Sequence, residues 1–189
     1  MFLDLKKALG TVDHNILIKK LELYGIRGTE LLWFTSYLNE RTQVCKLGKT
    51  LSSKTYIKTG VPQGSNLGPL LFLVYINDLP NCLSNSTPAL FADDTNVTVT
   101  GTSIQDIEAK LNGELNNLHC WIFNASKLEY MIIGSRKRLL RLDTDPHVFI
   151  NNQIIDRVDN TKTLGVFIDE KISHGKRILI VYAKKCLRA

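Results

Sequence analysis

The chain is most informative at residues 89–100, Ala89-Leu90-Phe91-Ala92-Asp93-Asp94-Thr95-Asn96-Val97-Thr98-Val99-Thr100. An apolar segment and a β-branched segment flank two adjacent aspartates, which is typical of two strands joined in a hairpin with Asp93 and Asp94 at its tip. Neighbouring buried carboxylates repel each other, and burial disfavours both charges, so a bound cation would stabilise them. Aspartate oxygens are hard ligands that suit Mg²⁺. The alternative is an exposed Asp-Asp-Thr-Asn turn, which these four residues taken alone favour.

A third carboxylate, Asp4, lies at the end of a short predicted strand near the start of the chain, where it could complete such a cation site. Helices are predicted after Asp13 as an N-cap, and then at 29–39, 67–79 and 104–121, the last capped by Ser103. Strands are predicted at 3–5, 42–47, 54–58, 128–133, 148–150, 154–155 and 164–168, and a polar basic loop at 136–146. With no internal repeat and no long linker, the pattern predicts one α+β domain.

Composition excludes several classes of protein. The 189 residues are 44% hydrophobic and 22% charged, the balance of a folded soluble domain. The four cysteines are far apart and lack zinc-site spacing, which indicates a reducing compartment. The N-terminus does not have the pattern of a signal peptide, and the most apolar run, 67–76, contains Pro69 and is too short to cross a bilayer. We therefore expect an intracellular protein that is neither secreted nor bound to a membrane.

Positive charge is concentrated in the last third of the chain. Lys and Arg total 24 against 18 Asp and Glu, a net charge of +6. Residues 1–126 hold eleven of each and net zero, whereas residues 127–189 hold thirteen basic and seven acidic side chains. A one-sided basic surface favours a polyanionic partner such as nucleic acid, and the alternative is a solvated face.

Four motifs and their order resemble a reverse transcriptase, more narrowly the polymerase of non-LTR (LINE-type) retrotransposons. The motifs are Phe2-Leu3-Asp4-Leu5-Lys6-Lys7-Ala8, Thr11-Val12-Asp13-His14, Gly60-Val61-Pro62-Gln63-Gly64-Ser65-Asn66-Leu67-Gly68-Pro69 and Phe91-Ala92-Asp93-Asp94. The resemblance extends to about Asp169. It implies a polymerase palm, an antiparallel sheet backed by helices, with fingers and thumb largely missing. It also implies a partial reverse transcriptase domain at 1–169 with a primer-grip-like hairpin at 148–169, and a basic tail at 170–189 where a thumb would start.

The resemblance assigns roles to individual residues. Asp4 and Asp93 would hold two Mg²⁺ ions about 4 Å apart, Asp94 would shape the site, and Lys127 would donate a proton to pyrophosphate. Lys127 is equally well explained as an ordinary surface lysine. The residues assigned to nucleotide and template binding are Leu9, Pro62, Gln63, Gly64 and Ser65. Those assigned to the primer grip are Leu164, Gly165 and Val166. Those assigned to phosphate contacts are Arg136, Lys137, Arg138 and Arg141. The implied partners are an RNA template, a DNA primer and deoxynucleoside triphosphates.

Three departures from the family pattern predict a truncated, degenerate copy, so that the resemblance implies polymerase chemistry while the departures predict little activity by the chain alone. Relatives read Ala-Phe-Asp where this chain has Ala8-Leu9-Gly10, so the aromatic ring that blocks a ribose 2′-hydroxyl is replaced by Leu9. The segment 121–124 is shorter than in relatives, and the family's fingers and thumb are not represented. Three alternatives follow: a catalytically inactive remnant that binds nucleic acid regardless of sequence, a chain without function, or a fragment complemented by a full-length relative.

Overall fold

The computed structural model describes the backbone of residues 2–4, 8–62, 64–118, 121, 128–140, 142, 144–164, 166–170 and 180–181, and their side chains except at 2–4, 8, 138 and 180–181. The chain divides into two compact units, a sheet unit (residues 1–6 and 78–189) and a helical unit (residues 7–77). The α-helices are α1 His14–Leu23, α2 Gly28–Leu38, α3 Leu67–Ile76, α4 Ile104–Asn117 and α5 Arg136–Leu139, and 3-10 helices lie at Ala8–Gly10 and Leu79–Cys82. The strands are β1 Phe2–Asp4, β2 Thr42–Gln43, β3 Lys46–Leu47, β4 Thr50–Leu51, β5 Thr55–Tyr56, β6 Thr87–Phe91, β7 Asp94–Thr98, β8 Glu129–Tyr130, β9 Ile132–Ile133, β10 Phe149–Ile150, β11 Gln153–Ile154, β12 Asp156–Arg157, β13 Asn160–Thr163, β14 Val166–Asp169 and β15 Ile180–Val181.

A five-stranded sheet in the order β12-β8-β1-β7-β6 organises the sheet unit. The strand β1 pairs antiparallel with β7 and with β8, β6 pairs antiparallel with β7, and β12 adds parallel to β8. Along β7 and just beyond it, Thr95, Val97 and Val99 are fully buried while Asp94, Asn96 and Thr98 are half-buried. This period-two alternation is expected of a strand with one face on the core.

The helix α4 contributes much of the core of the sheet unit. Ser103 caps it by accepting from the backbone N–H of Asp106 at 3.1 Å. The apolar side chains one helical turn apart on α4, Ile107, Leu111 and Leu115, are buried.

In the helical unit, Asp13 caps α1 by accepting from the backbone N–H groups of Asn15 and Ile16 at 2.8 and 3.0 Å. The buried apolar side chains of this unit come from all three helices and two connecting segments: Val12, Leu17, Leu21, Leu38, Val61, Leu71, Phe72 and Ile76. Residues 42–56 form one interrupted antiparallel hairpin, in which β2 pairs with β5 and β3 with β4.

The predicted α+β class is confirmed, while several boundaries differ. Asp94 is the first residue of β7, so only Asp93 of the pair lies in the turn; an apolar strand end does not reveal where pairing stops. The basic segment predicted as a loop begins with the one-turn helix α5. Helices α3 and α4 end earlier than predicted, at Ile76 and Asn117, because apolar periodicity continues past the last helical hydrogen bond. The described part of the chain holds no helix of the length and apolarity that a bilayer crossing requires.

Candidate active site

The strand register brings two of the three predicted catalytic aspartates together. Asp4 ends β1 and Asp94 begins β7, and these residues are directly opposite each other in the antiparallel pair. Asp93 lies immediately before Asp94 and belongs to the turn that joins β6 and β7. All three acidic residues therefore belong to one end of the central strand pair of the sheet unit.

The turn itself has an uncommon backbone. Phe91 and Asp94 close a two-residue hairpin whose central residues are Ala92 and Asp93, and Ala92 has a φ of 52°. A positive φ at the first central residue alone is the φ pattern of a type II′ turn, which normally takes glycine there. Holding an alanine at such a sparsely populated backbone conformation costs on the order of 1–3 kcal/mol. Such strain is retained where the surrounding structure requires it, and it is common at functional sites.

These residues fit a divalent cation. Like charges directly opposite each other in a strand pair destabilise it, and the pair of Asp4 and Asp94 is such an arrangement. The Oδ1 atom of Asp94 is buried from water, and Asp93 is half-buried. Carboxylate oxygens are the ligands that hard divalent ions prefer. Among the side chains that the structure describes, which exclude that of Asp4, no group of three or more His, Cys, Asp or Glu residues has metal-binding geometry.

The predicted nucleotide loop lies in the helical unit and is tightly ordered around Ser65. The Ser65 hydroxyl donates to the carbonyl of Pro62 at 2.8 Å and accepts from the backbone N–H of Gly68 at 3.0 Å. Gly64 has a φ of +79°, and a Cβ at Gly68 would lie 2.7 Å from the carbonyl oxygen of Pro62. Gly64 and Gly68 therefore permit a close turn that leads directly into α3. Gln63 lies outside the described residues.

Backbone hydrogen bonds join this loop to the segment that contains Leu9. The N–H of Val61 donates to the carbonyl of Leu9, and the N–H of Gly60 donates to the carbonyl of Val12, both at 2.7 Å. The Thr59 hydroxyl adds a bond to the carbonyl of Gly10 at 3.1 Å. These bonds bring Leu9 close to the loop that contains Pro62, Gly64 and Ser65, although Leu9 lies about fifty residues earlier in the chain.

His14 is part of this neighbourhood and was not predicted as a site residue. The His14 side chain is 8% exposed, and its Nε2 lies 2.7 Å from the carbonyl oxygen of Gly60. A carbonyl only accepts, so Nε2 carries the proton and donates. The sequence signal was the position of His14 immediately after the Asp13 cap, which placed it on the first turn of α1, where its ring reaches the loop.

An open cavity of about 640 Å³ lies beside the loop within the helical unit. The residues that line it are Gly10, Arg41, Thr42, Gln43 and residues 56–62. The lining of the cavity therefore includes one aromatic residue, Tyr56, and two cations, Arg41 and Lys58.

The residues predicted to contact primer and phosphates lie elsewhere in the sheet unit. Residues 148–169 contain two separate hairpins, β10–β11 and β13–β14. Leu164, with a φ of 48°, and Val166 are 55% and 63% exposed in the β13–β14 hairpin. Arg136 and Lys137 are exposed on α5. Gly165, Lys127 and Arg141 lie outside the described residues, as does the side chain of Arg138.

Three acidic residues at one end of a strand pair and a glycine-bounded loop are the features expected of a nucleotidyl-transfer protein. The model of the family described as reverse transcriptase (RNA-dependent DNA polymerase) matches residues 1–168. The chain belongs to the reverse transcriptase family, whose members use divalent metal ions and act on RNA templates.

Curated relatives from insects support the narrower resemblance to polymerases of non-LTR retrotransposons. The RNA-directed DNA polymerase from mobile element jockey of Drosophila melanogaster is 30% identical over 195 residues, covering 94% of this chain and 20% of the relative. The probable RNA-directed DNA polymerase from transposon X-element of the same species is 28% identical over 189 residues, with the same coverage. A Pol polyprotein from the type-1 retrotransposable element R2 of Popillia japonica is 31% identical over 87 residues, 46% of this chain and 14% of the relative. The chain thus spans about a fifth of the length of the first two relatives.

Proposed function

We propose that the chain is the polymerase palm of a non-LTR retrotransposon and extends a DNA primer on an RNA template with two Mg²⁺ ions. The observation that carries this proposal is the register that pairs Asp4 with Asp94 beside the turn residue Asp93. The family match over residues 1–168 supports it.

The three aspartates would divide the work. Asp4 and Asp93 would hold the ions, and the half-buried Asp94 would shape the site and keep negative charge beside them. When bound, the ions would activate the primer 3′-hydroxyl and neutralise charge on the leaving pyrophosphate. The positive φ of Ala92 supports this role, because the conformation of this residue sets the direction of the chain from the end of β6 to Asp93.

The loop at 60–65 would receive the incoming nucleotide. Two left-handed glycines, Gly60 and Gly64, bracket it, and glycine permits close approach of backbone to a ligand. His14 would act as a positioning residue, since its bond to the Gly60 carbonyl holds one end of this loop.

Sugar selection would be weak. Leu9 is half-buried in the 3-10 helix Ala8–Gly10, and its carbonyl is held by Val61. A leucine at this position lacks the flat ring that family members place against a ribose 2′-hydroxyl. The departures at Leu9 and Gly10 are the basis for proposing a degenerate copy.

Primer extension on poly-rA with an oligo-dT primer tests the proposal. The full chain is compared with the Asp93→Asn variant and with Asp159→Asn, a control that removes an exposed carboxylate of the same sheet unit. We expect Asp93→Asn to lose at least about a hundredfold in rate and Asp159→Asn to retain the wild-type rate. Circular dichroism establishes that all three proteins are folded.

Two outcomes contradict the proposal. Equal synthesis by wild type and Asp93→Asn would show that Asp93 does not hold a required ion. No synthesis by a folded wild-type chain would show that this palm does not work as a polymerase by itself.

A further inference from the structure

The helix α2 presents an aromatic and cationic row that the polymerase roles above do not use. Trp33 and Tyr37 are four residues apart, which places them on one side of the helix, and Arg41 follows three residues after the helix ends at Leu38. The rings of Trp33 and Tyr37 are stacked, with centroids 5.4 Å apart and an interplanar angle of 12°. The Arg41 guanidinium lies 5.4 Å from the centroid of the Tyr37 ring and donates to the carbonyl of Tyr37 at 3.4 Å.

This row is held in place and yet open to solvent. The Trp33 side chain is 53% exposed even though one of its faces stacks on Tyr37 and Phe34 meets it edge-on at 5.1 Å. An aromatic ring that is already oriented loses little conformational freedom when another flat group stacks on it. The row therefore has the properties of a stacking platform for a planar ligand.

The hairpin that follows α2 is a concentrated positive surface. Residues 41–58 contain five basic side chains and no acidic one, in contrast with the zero net charge of residues 1–126 taken together. All five are exposed: Arg41, Lys46, Lys49, Lys54 and Lys58. A protein partner that bound only the apolar surface of α2 would leave this charge without a role, whereas a polyanion would use it.

The cavity connects the two features. Arg41 and Lys58 both line it, together with Tyr56, whose side chain is 69% exposed. Aromatic rings for stacking beside cations for phosphates form the combination by which proteins bind single-stranded nucleic acid.

We propose that Trp33, Tyr37, Arg41 and the segment 42–58 form a contact surface for single-stranded nucleic acid, which we call the α2 platform. A base stacks on the open face of Trp33, and the backbone phosphates meet the hairpin lysines. This inference rests on the proposed function only in that the chain handles nucleic acid, and it does not require catalysis.

Binding is measured by fluorescence anisotropy with labelled rU and dT twelve-mers and a duplex of equal length, using the full chain carrying Asp93→Asn so that no synthesis occurs. The triple variant K46Q/K49Q/K54Q is expected to bind single strands at least about tenfold more weakly. Its slope of log affinity against log salt should fall by about 2, since each phosphate contact on a single strand contributes about 0.7. The control K19Q/R27Q removes two exposed cations of the helical unit that lie outside the platform and is expected to change affinity less than twofold.

Stacking is tested separately through tryptophan fluorescence. The chain has two tryptophans, Trp33 and Trp121, so the Trp121→Phe variant leaves Trp33 as the sole reporter. We expect the twelve-mers to quench this emission, and Trp33→Ala to weaken binding about tenfold. Equal quenching by rU and dT supports stacking that ignores the sugar, and quenching by rU alone supports an RNA-selective platform.

Two results overturn the inference. The first is that both K46Q/K49Q/K54Q and Trp33→Ala bind the oligonucleotides with the affinity and the salt slope of the wild type. The second is a wild-type dimer in sedimentation that Trp33→Ala converts to a monomer without any change in oligonucleotide affinity, because the α2 face then belongs to a second copy of the chain. Failure of primer extension with intact platform binding would contradict only the proposed polymerase function.

Discussion

At the scale of single residues, two glycines with the same positive φ allow the cost of backbone strain to be distinguished from the cost of a steric clash. Gly25 and Gly60 both have a φ of +91°. A Cβ at Gly25 would meet nothing within 4 Å, whereas a Cβ at Gly60 would lie 2.8 Å from the Gly10 Cα and 2.9 Å from the Leu9 carbonyl oxygen. The contacts at Gly60 are with backbone, which cannot move aside as a flexible side chain can.

We therefore expect Gly25→Ala to cost roughly 1–2 kcal/mol of unfolding free energy, the price of a left-handed alanine. Gly60→Ala should cost at least about 2 kcal/mol more, because segment 9–12 must also separate from segment 59–61. Urea unfolding of both variants measures the difference. Equal losses would mean that the two segments are not packed as closely as described.

The buried phenol of Tyr130, again a single residue, makes the stability of the chain depend on pH. Its side chain is 3% exposed, and its hydroxyl donates to the carbonyl of Pro146 at 3.0 Å. Burial, and then the nearby Asp145 carboxylate, raises the pKa of the Tyr130 phenol from 10.0 to about 12.

Between pH 10 and about 12 the unfolded phenol has lost its proton while the folded one retains it, so stability falls as pH rises through this window. The contribution is fully present below pH 10, and the slope from one proton cannot exceed about 1.4 kcal/mol per pH unit. Tyr130→Phe should flatten this alkaline decline and lower stability at pH 7 by about 1 kcal/mol. Urea unfolding at pH 7, 10 and 11.5 checks both effects, and an unchanged alkaline slope in the variant would count against the buried phenol.

At the scale of elements, α4 supports the segment that leads into the β6–β7 hairpin through one buried carboxylate. Glu114 is 1% exposed and accepts from the backbone N–H of Ser84 at 3.1 and 3.2 Å and from that of Asn85. Ser84 and Asn85 lie three and two residues before β6 begins at Thr87. Glu108 offers a contrast on the same helix, since it accepts from the N–H of His147 at 2.9 Å in an exposed position.

Glu114→Ala leaves two backbone donors without their acceptor and should cost about 2–4 kcal/mol, whereas Glu108→Ala should cost less than about 1 kcal/mol because water replaces the lost acceptor. Glu114→Gln should fall between them, since one amide oxygen remains to accept. Thermal and urea unfolding of the three variants test this order. Similar losses for Glu108→Ala and Glu114→Ala would show that burial is not what makes Glu114 important.

At the scale of the whole molecule, we expect the acidic residues at one end of the sheet to lower the free energy of unfolding while they serve the proposed cation site. Asp4 and Asp94 occupy opposite positions of one strand pair, and the Asp94 Oδ1 is buried. Because like charges opposite each other destabilise a strand pair, neutralising one of these two carboxylates should raise the free energy of unfolding.

Without divalent ions, Asp94→Asn is expected to raise the free energy of unfolding by about 0.5–1 kcal/mol relative to wild type. Mg²⁺ should stabilise the wild type in proportion to its occupancy and should have a smaller effect on Asp93→Asn. Melting temperatures with and without 10 mM Mg²⁺ test this, with Asp159→Asn as the control that should respond like wild type. A magnesium response shared equally by Asp93→Asn would place the ion elsewhere.

Local features were predictable because they depend on neighbours in the chain. The caps at Asp13 and Ser103 and the period of α4 follow from side chains within four residues, and the hairpin around residues 91–94 follows from an apolar segment and a β-branched segment on either side of a turn. The family was recognisable because four such motifs stand in a characteristic order. The split between Asp93 in the turn and Asp94 in β7 was missed, since pairing partners decide where a strand begins.

The amino-acid order by itself determined the α+β class and the membership in the reverse transcriptase family, and it predicted Asp4, Asp93 and Asp94 as site residues. Only the tertiary structure decided that Asp4 stands opposite Asp94, that His14 holds the Gly60 carbonyl and that residues 9–12 are bound to residues 59–61. It also decided that Trp33, Tyr37 and Arg41 stack in the open instead of joining a core. The physical reason is distance along the chain: these contacts join segments tens of residues apart or depend on what remains uncovered, and neither is encoded in any local pattern.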